Sequence, residues 1–217
     1  MSEILQQDLK KIESVEFIPW ESLKNKTILI TGATGLIGFN VTNALLYVNR
    51  EKSLGLKILA VVRDYERACQ RFDMWTDEVG RTLNFIVGTM EQFPEVTDGI
   101  DYIIHGASET SSKGFVEHPA ETILTALCGT ENTLHLAKEK NIRGMVYLSS
   151  MEVYGYPPKG HKVTEEEIGE FMPTDSRNSY PISKLQSEAL CCAYTSEYDV
   201  PVSILRLTQN LWTWSER

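Results

Sequence analysis

The stretch KTILITGATGLIG, residues 26–38, constrains the fold more than any other part of the chain. A short apolar, β-branched run ends on a glycine, and a helix-like segment opens within a few residues. An uninterrupted apolar run of this length reads as a strand buried on both faces. Between strand and helix lie Gly32, Gly35 and Gly38, spaced G-x-x-G-x-x-G. Gly32 can take a tight turn, Gly35 can bring backbone close to a pyrophosphate, and Gly38 can let helix and strand pack together. The helix start then offers unbonded N–H groups and the positive end of its dipole to phosphate. The same pattern also describes a glycine-rich turn that holds nothing. Its position at the head of an alternating array favours a dinucleotide.

That array runs to the end of the chain. Strands are expected at 26–31, 56–63, 82–88, 101–108, 144–150 and 200–208. Helices are expected at 35–51, 64–80, 118–141 and 179–199, with a polar Pro- and Gly-bearing loop at 155–178. Residues 2–13 form an amphipathic helix with Ile4, Leu5, Leu9 and Ile12 on one face. Strand and helix in alternation, with fully apolar strands, give an α/β fold. It is a doubly wound parallel sheet with right-handed crossovers, the Rossmann fold. The expected division is an N-terminal helical extension at 1–23, a dinucleotide-binding domain at 24–209 and an aberrant stub at 210–217.

Composition narrows the function. A net charge of −9 argues against a broad basic footprint, so nucleic acid is not an expected partner. No window reaches the ~20 apolar residues that span a bilayer, so no membrane partner is expected either. The start MSEILQQDLKKIES has no apolar stretch of signal-peptide length. Cys69, Cys128, Cys191 and Cys192 show no metal-ligand spacing, so no metal is expected, and adjacent Cys191 and Cys192 cannot bond without strain. Reduced thiols in a cytoplasmic protein are the simplest reading.

Three further segments carry chemistry. The second strand ends in VVRD. A carboxylate there favours NAD by accepting from ribose hydroxyls, and an arginine favours NADP by pairing with a 2′-phosphate. Arg63 and Asp64 leave NAD or NADP open; Arg63 can equally be a solvated surface residue. YPISK places Tyr180 and Lys184 on one helix face. An ammonium beside a phenol favours phenolate, which makes Tyr180 a base for a sugar hydroxyl. YLSSMEVYG ends the fifth strand with Ser149 and Ser150, at the crevice edge of such a sheet, where a hydroxyl can bond a reacting oxygen.

Taken together, TGATGLIG, SSMEVYG and YPISK in this order resemble the extended short-chain dehydrogenase/reductase family. These are NAD(P)-dependent epimerases and dehydratases of nucleotide sugars. The resemblance runs from about residue 24 to 209. It implies C4 oxidation of a UDP- or dTDP-sugar by hydride transfer. Tyr180 is then the base, Lys184 the ribose holder, and Ser150 the catalytic hydroxyl. It assigns the cofactor to Gly32, Thr34, Gly35, Leu36, Ile37, Gly38, Arg63, Tyr180 and Lys184, and to Gly106, Ala107 and Ser108 of the HGAS segment. Glu152, two after Ser150, leans the chemistry toward a dehydratase or a UDP-glucuronate decarboxylase, as a base at C5 or as a hydrogen-bonding residue only. Met151 cannot donate a proton, unlike the acid that dehydratases carry there. Ala126 and Thr89 stand where relatives often have Asn and an acidic residue. A homodimer through helices 118–141 and 180–198 is also implied. The alternative class is a dinucleotide-binding regulatory module without catalysis.

Relatives continue after the sixth strand as Arg-Leu-x-x-x-Phe/Tyr-Gly-Pro into a substrate domain. Here RLTQ fits and NLWTWSER does not. With the codons CAA AAC CTT TGG ACC TGG AGT G, skipping one A after CAA reads Thr-Phe-Gly-Pro-Gly-Val. A frameshift is therefore the expectation for residues 210–217. A missing substrate domain, weak turnover and an exposed apolar seam would follow.

Overall fold

The computed structural model of the protein describes residues 2–108 and 112–208. The stub expected at 210–217 lies outside them. Six strands form one parallel sheet: β1 (Thr27–Thr31), β2 (Lys57–Val62), β3 (Leu83–Val87), β4 (Tyr102–His105), β5 (Gly144–Ser150) and β6 (Val202–Leu207). Their order is β3-β2-β1-β4-β5-β6, so the switch point lies between β1 and β4. In register, Thr31 pairs with Val61 on one side and with His105 on the other.

The flanking helices are α1 (Glu3–Glu13), α2 (Leu36–Lys52), α3 (Tyr65–Arg71), α4 (Ser112–Glu117), α5 (Pro119–Lys140) and α6 (Ser179–Tyr198). Two apolar cores follow from the two faces of the sheet. One gathers Ile28, Ile30, Leu46 and Ile58 with Leu9 of α1, so the N-terminal helix packs into the domain. The other joins Leu29, Ile103 and Tyr147 to Leu134 of α5 and Cys191 of α6. Alternate residues of β1 enter opposite cores, which is why its sequence shows no polar face.

Three expectations change. The helix expected over 64–80 ends at Arg71 and gives way to a 3₁₀ turn, Asp73–Trp75. Trp75 is buried there, and its Nε1 donates to Asn43 Oδ1 of α2 at 2.7 Å. That anchor turns the chain out of helical register. The strand expected to 108 stops at His105, because the N–H groups of Gly106 and Ala107 turn to the Thr31 side chain. Helix α4, absent from the expectations, precedes α5.

No helix among the described residues is long and apolar enough to cross a membrane, and no metal-binding group of acidic, His and Cys side chains occurs among them.

Candidate active site

The carboxyl ends of the strands open onto a cleft of about 1260 Å³. It exceeds the ~300–1000 Å³ of ordinary small-ligand sites and has room for a dinucleotide with a substrate beside it. Gly32, Thr34, Gly35, Leu36, Ile37 and Gly38 line it on one side. Arg63, Gly106, Ala107, Ser108, Ser150, Tyr180 and Lys184 line it as well. Every residue expected to hold the cofactor therefore faces one space.

The glycine loop is built by close approach. Gly32 has φ 74°, and a Cβ there would lie 2.7 Å from the Gly106 carbonyl carbon. A Cβ on Gly38 would lie 2.2 Å from Gly32 O. The third glycine thus seats the helix on the loop's own backbone, a closer partner than the strand expected from sequence. Gly35 caps α2 without a side chain, so N–H groups of the first turn stay available to phosphate. The cradle fits a pyrophosphate.

Beneath the loop, Thr31 and His105 form a buried latch. Thr31 Oγ1 accepts from Gly106 N and Ala107 N, both at 3.2 Å. Its own hydrogen therefore goes to His105 Nδ1, 2.7 Å away. The network assigns the imidazole proton to Nε2, which faces Thr130 Oγ1 at 3.3 Å. Burial, with the charge of Lys184 adding to it, pushes the His105 pKa down to about 3.

At the far end, β5 and α6 bring the reactive group together. The Ser150 hydroxyl accepts from Glu152 N–H at 3.2 Å and lies close enough to the Tyr180 phenol to draw its pKa down. Lys184 Nζ donates to Leu148 O at 2.8 Å and sits 5.8 Å from the Tyr180 ring centre. Burial pushes the Lys184 ammonium down to about 8, against the opposing pull of Glu188 and Cys191.

The groups that shift the Tyr180 phenol are burial, Ser150 and Glu152. Burial raises the Tyr180 pKa; Ser150 draws it down and the Glu152 charge raises it again. The Lys184 ammonium holds the Leu148 carbonyl with one of its N–H groups.

Glu152 stands in a 3₁₀ turn after β5, outside the cleft lining, and partial burial raises its carboxyl above the usual range. Its charge lies close enough to raise the Tyr180 pKa. Beside it, Met151 is exposed. Ala126 is buried at 3%, and its carbonyl accepts from Thr130. Thr89 lines the cleft, as does Glu91 two positions later. Apolar side chains are also exposed in the loop between β5 and α6: Tyr156, Ile168 and Met172.

Several residues were not foreseen. Phe115 of α4 stacks on Tyr180, with ring centres 4.3 Å apart and planes 13° from parallel. Ser149 Oγ donates to Glu188 at 2.5 Å, and Glu188 is clasped by Arg206 of β6. Arg67 and Arg71 join Arg63 in the cleft wall. Only the i, i+4 spacing of Glu188 after Lys184, and of the three arginines, was available in the sequence.

Fold and site together define a dinucleotide-binding α/β protein with a Ser–Tyr–Lys group at the mouth of its crevice. The chain belongs to the NAD dependent epimerase/dehydratase family, whose model matches residues 28–211. It is 29% identical to UDP-glucuronic acid decarboxylase 1 of Xenopus tropicalis, over 93% of this chain and 46% of that protein. Among solved structures, a UDP-N-acetylglucosamine 4-epimerase from Methanobrevibacter ruminantium superposes with TM-score 0.68 at 21% identity, covering 84% of this chain and 55% of that one. DesIV, a dTDP-glucose 4,6-dehydratase from Streptomyces venezuelae solved with NAD and TYD bound, gives 0.67 at 22%, covering 83% and 55%. The chain spans about half the length of these relatives.

Proposed function

We propose that the protein binds a nicotinamide dinucleotide in this cleft and oxidises C4 of a UDP- or dTDP-sugar, with a lean toward dehydratase or UDP-glucuronate decarboxylase chemistry. The observation that carries the reading is that Ser150, Tyr180 and buried Lys184, one turn on, line the same cleft as the glycine cradle.

When bound, the nicotinamide supplies an acceptor and later a donor for hydride. Tyr180 Oη takes the proton from the sugar 4-hydroxyl. Ser150 Oγ holds that same oxygen and stabilises charge on Tyr180. Lys184, fixed by Leu148 O, presents its remaining N–H groups to the nicotinamide ribose. Glu152, beside the cleft, is the candidate base at C5 or a hydrogen-bonding residue only, and burial raises its pKa toward the range of proton transfer at neutral pH. Phe115 holds the Tyr180 ring in plane and keeps water from one face. Homodimerisation through α5 and α6, whose Leu124 is exposed, accompanies this reading. A cytoplasmic location completes it.

The second reading is a dinucleotide-binding module without catalysis, which the glycine cradle by itself would serve. One experiment separates the two. UDP-glucuronate, UDP-glucose and dTDP-glucose are offered with NAD or NADP, and nicotinamide absorbance and sugar products are followed. Turnover that falls about a hundredfold or more in Tyr180→Phe, with dinucleotide affinity within about threefold, supports catalysis. Dinucleotide binding without turnover of any of the three selects the module.

A further inference from the structure

NAD and NADP differ only at the ribose 2′-oxygen, which NADP esterifies with a phosphate carrying roughly −1.5 to −2 charges at neutral pH. In a doubly wound sheet this oxygen meets the residue that closes the second strand. Strand β2 ends at Val62, and the next residue is Arg63. Arg67 and Arg71 follow at helical spacing on α3, and all three line the same end of the cleft. Arg71 lies 3.9 Å over the Phe39 ring of α2, which holds it against the turn after the glycine loop. Among the described residues, neither Arg63 nor Arg67 forms a salt bridge.

Two carboxylates at this end each hold a protein partner through one oxygen. Asp64 stands one residue beyond the strand end, and its Oδ1 accepts from Arg67 N–H at 3.0 Å to cap α3. Glu91 accepts from the Thr125 hydroxyl. That bond, with the charge of Arg63 contributing, holds its carboxyl below the usual range. The residue that follows the strand end is thus Arg63, while the Asp64 carboxylate turns one oxygen to the N-terminus of α3.

We propose that Arg63 and Arg67 form a subsite for the adenosine 2′-phosphate and make NADP(H) the preferred cofactor of this chain. The inference rests on the reading that the cleft takes a nicotinamide dinucleotide. It departs from the family's description at the one point where the two cofactors differ. A planar guanidinium at the strand end matches a phosphate edge with paired hydrogen bonds, which a ribose hydroxyl cannot return.

The test is binding, measured by calorimetry and by nicotinamide fluorescence on the whole chain at fixed ionic strength. NADPH is expected to bind at least tenfold tighter than NADH. Arg63→Ala and Arg67→Ala should each weaken NADPH about tenfold and leave NADH within twofold. Both side chains are exposed, so circular dichroism should show the variants folded. Inorganic phosphate, the free form of the same chemistry, should compete with NADPH only at millimolar concentration. Equal or tighter binding of NADH overturns the proposal, as does a loss shared equally by both cofactors in Arg63→Ala. Binding of neither cofactor by the folded chain overturns the cleft assignment itself.

Discussion

Arg206 closes its guanidinium on Glu188, with Nη2 2.8 Å from Oε2 and Nε 3.1 Å from Oε1. The pair ties β6 to α6 one turn beyond Lys184. It extends to Ser149 through Glu188, and to the carbonyls of Glu165 and Glu167 through Nη1 at 2.8 and 3.2 Å. One ion pair therefore joins the last strand, the helix that bears Tyr180 and the loop after β5.

With side chains only 15% and 9% exposed, neither charge can return to water if its partner is lost. Arg206→Met or Glu188→Gln alone should cost about 3 kcal/mol in urea unfolding. The double variant Arg206→Met/Glu188→Leu should recover most of that, because it leaves no uncompensated charge. Single substitutions that shift stability by under about 1 kcal/mol would show that water already reaches the pair.

A methyl group at Gly38 meets backbone, which cannot rotate away: Gly32 O at 2.2 Å and Gly32 C at 2.8 Å. Gly38→Ala should lower stability by about 3 kcal/mol or more and weaken dinucleotide binding with it. Gly80 gives the contrast. Its φ is +81°, and a Cβ there meets nothing within 4 Å. Gly80→Ala should cost only the left-handed strain, about 1–2 kcal/mol, and leave binding unchanged. Thermal melts with and without NADPH separate the two cases.

Trp75 fills the core below α2 and donates to Asn43. Trp75→Phe leaves Asn43 Oδ1 buried without its donor and opens a gap beside Phe72. A loss of about 2–4 kcal/mol is expected. An unchanged urea midpoint would show that the turn after α3 is held by Arg50 and its partners Asp77 and Glu78 instead.

What could be read from the sequence was local or periodic. The β1 run, the three glycines and the Tyr180–Lys184 spacing announce themselves within one element. The sheet follows because the central strands β1 and β2 are apolar on both faces. The parts that were not legible join distant positions. Thr31 and His105 are 74 residues apart and meet because β1 pairs with β4. Glu188 and Arg206 meet because α6 returns antiparallel to β6. Phe115 lies on a short helix with no apolar period, so nothing marked it as the cover of Tyr180. The early end of α3 depends on the buried Trp75–Asn43 bond, whose partner lies on another helix. Only the i, i+4 spacing of Arg63, Arg67 and Arg71 was visible in advance, and it took the cleft wall to give it a direction.

His105 gives the fold a defined acid dependence. Its pKa is about 3 in the folded chain against an ordinary 6.5. Between those values the unfolded chain binds a proton that the folded chain does not, so stability falls as pH falls. The contribution is whole above pH 6.5 and is lost progressively down to about pH 3. The slope is about 1.4 kcal/mol per pH unit, or about 2 kcal/mol between pH 6 and 4.5. His105→Gln keeps an amide beside Thr31 and Thr130 but carries no titrating group. Other acidic and basic groups titrate alike in both proteins, so the difference between their urea profiles isolates the imidazole. The wild-type chain should lose about 2 kcal/mol more than His105→Gln over that interval. Parallel profiles would mean that the imidazole takes up its proton in the fold, and that the Thr31 hydroxyl does not donate to Nδ1.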